Sequence, residues 1–115
     1  MKFMPVAKLH AFEKESVALA AFAKALAHPA RICILRFLAG KGEVPCMDIV
    51  AALPLSQPAC SPHINDLKKA GLLTSRARGS QVLFRLDESA LSRFCQGMNS
   101  ALHPTSPGEI CPTPI

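Results

Sequence analysis

Apolar residues recur at helical spacing along most of this chain and alternate in only one short stretch. In LPLSQPACSPHINDLKKAGLL, residues 53–73, Cys60, Ile64 and Leu67 fall at i, i+4 and i+7 and predict a helix with a single apolar stripe. Its opposite side carries Pro58, Ser61, Pro62, Asn65 and Lys69, groups suited to water or to a polar partner. Gly71 is placed to end that helix, because a residue without Cβ takes the left-handed conformation past the last turn at no steric cost. In TSRARGSQVLFRL, residues 74–86, Val82, Phe84 and Leu86 then alternate with Leu83 and Arg85. With Arg78, Gly79 and Ser80 as the turn, this stretch predicts a two-stranded hairpin.

The flanking elements follow from the same periodicity. An alanine-rich helix is expected over about residues 11–27, with Phe12, Leu19, Phe22 and Leu26 on one stripe. Pro29 suits the first turn of a second helix, which runs through Ile32, Leu35 and Leu38 to Gly40. A short third helix starts near Pro45, carries Ile49, Val50 and Leu53, and is ended by Pro54. The last helix, over 88–102, has Leu91, Phe94, Cys95, Met98 and Leu102 at helical spacing, with Asp87 and Glu88 at its positive end. Only a short connection separates the third and fourth helices, which makes them an angled pair. The predicted fold is mainly α with a small β-hairpin, a winged helix-turn-helix of five helices and a two-stranded wing. Residues 11–102 form its domain, 1–10 an N-terminal extension and 103–115 a Pro-rich, unstructured tail.

Charge sharpens this picture. The net charge of the 115 residues is only +5. Between 56 and 86, however, Lys68, Lys69, Arg76, Arg78 and Arg85 face Asp66 as the sole acid, so the excess sits on the proposed reading helix and wing. Such a head suits double-stranded DNA, with Asn65 and Lys69 on the polar face and Arg76 and Arg78 meeting phosphates or a narrow minor groove. An apolar content of 50% with 18% charged residues excludes a chain that is itself a disordered acidic or basic tail, and no apolar run is long enough to span a membrane. A cytoplasmic protein that does not contact membranes is therefore expected. No Gly-rich phosphate loop, HExxH or close carboxylate pair is present, so an enzyme is not expected. The stripes on the first and last helices exceed what so small a core can cover, and predict a homodimer through Phe12, Leu19, Phe22, Leu91, Phe94, Cys95 and Met98.

Three segments carry a family resemblance: LAHPARICILRFL at 26–38, GEVPCMDIVAAL at 42–53 and above all SQPACSPHINDLKKAGLL at 56–73. They resemble the ArsR/SmtB family of bacterial metal-responsive repressors, over about residues 20–102. The resemblance implies a homodimeric winged-helix repressor that binds a palindromic operator and releases it when an effector binds. It places Ser56, Gln57, Pro58, Ala59, Ser61 and Pro62 on the helix that enters the major groove, and makes His63 an orienting or structural histidine. A second class, a winged protein-interaction or chromatin-associated module without sequence-specific reading or an effector, shares the same fold.

The chain departs from the family's effector sites. Where arsenic, cadmium or lead sensors carry a C-x-C pair on the third helix, this sequence reads Pro45, Cys46, Met47, which leaves one thiol. The last helix has no histidine for the zinc site. Persulfide sensors pair thiols on the second and last helices, but Cys33 and Cys95 fall outside the expected register. Five cysteines with no CxxC pair make neither a disulfide framework nor a structural zinc site. Cys60, Cys95 and Cys33 are expected to be buried. Cys46, at a helix N-terminus that would lower its pKa, and Cys111 in the tail are expected to be accessible, and Cys46 is the candidate ligand for a thiophilic metal or metalloid ion, or the target of an oxidant. Pro62 is the other departure. With Gln57 as N-cap it falls inside the helix, and the alternative is a regular helix that begins only at Ser61, leaving 57–60 as a looser turn.

Overall fold

The computed structural model describes residues 12–103, so the N-terminal extension and most of the tail, Cys111 included, lie outside the described residues. Within them the order is α1 (Lys14–Ala25), α2 (Pro29–Leu38), β1 (Val44–Pro45), α3 (Cys46–Ala51), α4 (Gln57–Lys69), β2 (Leu73–Arg78), β3 (Gln81–Leu86) and α5 (Glu88–Leu102). The strands form one antiparallel sheet in the order β1-β3-β2. The expected two-stranded wing therefore gains a short third strand, with Val44 opposite Phe84 and Pro45 opposite Leu83. Pro45 is tolerated there because an edge strand need not donate on its outer side.

The core lies where α2, α3, α4 and the root of the wing meet. Ile34, Leu38, Ile49, Cys60, Leu67 and Leu72 are fully enclosed in it. Cys60, Ile64 and Leu67 thus point inward as their spacing predicts, and each such burial contributes on the order of 1.5–3 kcal/mol. Three registers differ from expectation. On α2 the inward side is set by Ala30, Ile34, Leu35 and Leu38, which turns Ile32 out to solvent. On β3 Leu83 is buried while Val82, beside the turn, is exposed. α3 ends at Ala51, so Leu53 and Pro54 lie in the connection and not in the helix.

The outer helices pack on each other within one protomer. The rings of Phe22 and Phe94 stack with centroids 4.8 Å apart. Gly97 permits the close approach of α1 and α5, since a Cβ there would come within 3.3 Å of the Leu19 side chain. Leu19 and Phe22, expected at a dimer interface, are consequently buried inside the chain itself. Leu91, Phe94 and Met98 are half-buried against the core. Cys95 and Cys33, expected to be buried, are both exposed: Cys95 sits on the outer side of α5, beyond the Phe94 contact, and Cys33 shares the outer side of α2 with Ile32. Phe12 precedes α1 and is exposed, together with Val17 and Leu102.

A polar tether fixes α4 against α2. Arg31 lies on the inward stripe of α2, i+4 before Leu35, so its charge needs partners. Its guanidinium donates to Asp66 Oδ2, to His63 Nδ1 at 3.1 Å and to the Ala25 carbonyl at 3.2 Å. His63 also lies 4.2 Å, ring to ring, from His28. His28 in turn caps α2, its Nδ1 accepting from the Ala30 N–H at 3.0 Å. The structural part expected for His63 fits this geometry.

Burial, reinforced by repulsion from His28 and Arg31, holds the His63 pKa below the ordinary histidine value, against the opposing pull of Asp66. Between that lowered pKa and the unfolded value of about 6.5 the folded state binds fewer protons than the unfolded chain. The stability His63 contributes is thus fully present above about pH 6.5 and is lost as the pH falls through that value toward the folded pKa. Urea midpoints should drop on acidification from about pH 7.5 to 5.5, and less steeply in His63→Gln. An identical pH slope in the two proteins would take His63 out of the effect.

Candidate nucleic-acid interface

Local chemistry decides where the reading helix begins. Ser56 has an extended backbone, and its Oγ accepts from the Ala59 N–H at 3.4 Å, so Ser56 is the N-cap of α4. Gln57 and Pro58 are then the first two helical residues, positions where a missing N–H is harmless. Neither expected start, Gln57 as cap or Ser61 as cap, is the one adopted. The helix continues through Pro62, which leaves the Pro58 carbonyl without its i+4 donor. Pro58 is exposed, so water can take that place. At the other end the Leu72 N–H donates to the Leu67 carbonyl at 3.1 Å and the Gly71 N–H to Lys68 at 3.0 Å. This is a Schellman closure around Gly71, at φ +83°.

With the apolar stripe buried, the opposite side of α4 is bare. Gln57, Pro58, Ala59, Pro62, Asn65 and Lys69 are exposed and Ser61 is half-buried, so the residues proposed to read DNA share one surface. The wing turn is Gly79-Ser80, between the paired Arg78 and Gln81. Gly79 has φ +61° and no other residue type has positive φ among the described residues, which matches a type II′ hairpin with glycine first. That turn sets the wing tip opposite the start of α4. Gln57 shares a cleft of about 340 Å³ with Ser80, Gln81 and Val82 of the wing, lined also by Pro45, Cys46, Met47 and Phe84.

The cations are not equivalent. Arg76 is held by Glu43 in a two-pronged pair, Nε to Oε2 at 2.5 Å and Nη2 to Oε1 at 2.7 Å. The Arg76 guanidinium, with Arg85 and Arg78 farther off, keeps the Glu43 carboxyl below its usual pKa. Arg78, Arg85, Lys68 and Lys69 are exposed and make no salt bridge among the described residues. Glu43 and the Arg31–His63–Asp66 tether were not singled out by sequence. Arg31 did leave a signal, a cation at an inward helical position. Glu43 left none, because its partner lies 33 residues away on another element.

Cys46 differs from expectation. It is the first residue of α3, yet its thiol packs against the core, and burial followed by the neighbouring Cys60 pushes its pKa up. α3 has six residues, too short a helix for its dipole to outweigh that burial. No group of three or more His, Cys, Asp or Glu side chains that could hold a metal ion occurs among the described residues. One half-buried thiol beside a buried one does not fit a thiophilic ion, which calls for accessible thiolates.

Residues 26–76 match a helix-turn-helix domain family. Over 90 residues the chain is 33% identical to the biofilm growth-associated repressor of Agrobacterium fabrum, covering 78% of this chain and 76% of that protein. It is 40% identical over 63 residues to the arsenical resistance operon repressor of Escherichia coli, covering 55% of this chain and 54%, about half, of that relative. Among solved structures it is similar to a homodimeric winged helix-turn-helix DNA-binding domain from Mycobacterium bovis, described as a possible ArsR-family transcriptional regulator. The TM-score is 0.62 at 25% identity, over 92% of this chain and 94% of that one. By sequence and by fold, this chain belongs to the ArsR/SmtB family of winged helix-turn-helix transcriptional repressors.

Proposed function

We propose that this protein is a cytoplasmic repressor that binds palindromic operator DNA as a homodimer. The observation that carries the reading is the pairing of the bare side of α4 with the wing tip across one cleft, beside Lys68, Lys69, Arg78 and Arg85. The helix reaches base edges in the major groove, while the cations neutralise phosphates and release counterions. Ser56, Gln57, Ala59, Ser61, Asn65 and Lys69 are the polar or small groups offered to the groove, with Arg78 as the tip contact. A two-fold interface through the outer sides of α1 and α5 is supported by exposed Phe12, Val17 and Leu102 next to half-buried Leu91, Phe94 and Met98, with Leu19 and Phe22 bracing it from behind. No single described helix is long and apolar enough to cross a membrane.

The finer reading concerns release. Cys46 lines the cleft between α4 and the wing, so a group attached to its sulfur would occupy space next to the DNA. Among the described residues no group of companion donors surrounds Cys46, which favours a covalent adduct with an oxidant or another thiol reagent over a chelated metal or metalloid ion, while its raised pKa slows any reaction that needs the thiolate.

Titration of the protein against the palindrome nearest its own coding sequence tests the main reading. A repressor should prefer that fragment to bulk DNA by on the order of 10³ or more, with affinity that falls steeply with salt. Equal binding to both would favour the interaction-module reading. On the same fragment Pro62→Gln should bind at least several-fold tighter than wild type, because it restores the hydrogen bond to the Pro58 carbonyl and adds a polar side chain at the groove. Equal or weaker binding would mean that the native geometry accommodates Pro62. Cys46→Ser should keep the operator affinity and lose release by peroxide. Full release in that variant would remove Cys46 from the response.

A further inference from the structure

Glu43 stands in the loop ahead of β1 and reaches Arg76 on β2, although β1 and β2 are separated in the sheet by β3. The pair therefore crosses the outer side of the wing. Arg76 is directly opposite Leu83 in the strand register, and Leu83, outside the main core cluster, is only 5% exposed. By strand alternation the same side carries Thr74, Arg78, Gln81 and Arg85. Glu43 thus feels three wing arginines and is in contact with one, Arg76, while Asp87 and Glu88 line a hollow with Arg85 at the root of the wing.

We propose that Glu43 is a built-in competitor of DNA phosphate for Arg76, a residue that lowers the affinity of the wing for any duplex and leaves Arg78 to make the phosphate contact. The proposal rests on the DNA-binding reading above. A guanidinium fork that is filled by a carboxylate cannot present the same two N–H groups to a phosphate, because both partners use the same planar geometry. Releasing Arg76 to DNA would leave the Glu43 carboxylate near the phosphates, where like charge opposes binding. The pair is exposed, its side chains 55% and 35% accessible, and exposed ion pairs contribute little to folding. Glu43 therefore acts on binding far more than on stability. Its lowered pKa keeps it ionised, and the competition in force, at all pH values at which the protein would meet DNA.

The test uses Glu43→Gln, Glu43→Ala, Arg76→Ala and the Glu43→Gln/Arg76→Ala double variant, each titrated on the operator and on an unrelated duplex over a range of salt, with thermal melts alongside. Both Glu43 variants should bind both duplexes about three- to tenfold tighter at low salt, and the slope of log affinity against log salt should steepen by about one unit, the signature of one added phosphate contact. In the double variant the steepened slope should be lost relative to Arg76→Ala alone, leaving only a smaller tightening from the removed like charge, and the melts should match wild type. Unchanged or weaker binding at an unchanged slope, in a variant that melts like wild type, would overturn the proposal and make Glu43 a strut of the sheet. A lowered melt in Glu43→Gln with normal affinity would overturn it equally. If wild type itself shows no salt-dependent DNA binding, the DNA reading has failed. If wild type binds and the Glu43 variants are indistinguishable from it, only the role of Glu43 has.

Discussion

The architecture depends on one constraint, that α4 be buried along one side and bare along the other. Cys60, Ile64 and Leu67 satisfy the first half by sinking between α2, α3 and the root of the wing. The surface proposed to read DNA then follows from where that stripe docks. The Schellman closure at Gly71 turns the chain so that Leu72 and Leu73 enter the same core, which fixes the start of β2 to the end of α4. The two-residue turn at Gly79 returns β3 alongside, and the wing tip arrives opposite Gln57. A non-directional apolar stripe could still allow the helix to rotate or slide. The Arg31 fork on Asp66 and His63 supplies the missing direction, because hydrogen bonds specify an orientation that hydrophobic contact does not.

Elements that rest on local periodicity were legible in the sequence. The stripe of α4, the glycine stop, the Pro29 start of α2 and the presence of a hairpin all follow from spacing within about a dozen residues. Contacts that join distant segments were not. Val44 and Pro45 become a strand only because β3 presents an open edge, and two residues carry no periodicity of their own. The side of α2 was misjudged because Ile32 fits a three-residue spacing with Leu35 and Leu38 as well as Ile34 fits four, and only the position of α4 chooses between them. The stripe on the last helix was legible but its destination was not: part of it packs on α1, which uses Phe22 and Leu19 inside the protomer and leaves a smaller apolar surface outside.

The charge pattern shows the same division. The sequence places five cations and one acid over 56–86, and all five look alike. Folding separates them by bringing in partners from outside that window. Asp66 is claimed by Arg31 from α2, which is inward-facing, and Arg76 is claimed by Glu43. The cations of this stretch left without a salt bridge among the described residues are two lysines near the end of α4 and two arginines on the wing. The basic field over the proposed reading surface persists, but the arginine midway along β2 is already engaged by Glu43.

The cysteines show how burial reorders chemistry. Placement at a helix start argued for a low pKa at Cys46, and an apolar position argued for burial of Cys33 and Cys95. In the fold the first thiol is half-buried and the other two are exposed. A six-residue helix offers a weak dipole, whereas contact with the core removes water from the thiolate directly, and desolvation acts on the whole charge while the dipole acts on half of one. The raised pKa leaves less thiolate at Cys46, so any thiol reagent meets a slower nucleophile there than at a free cysteine.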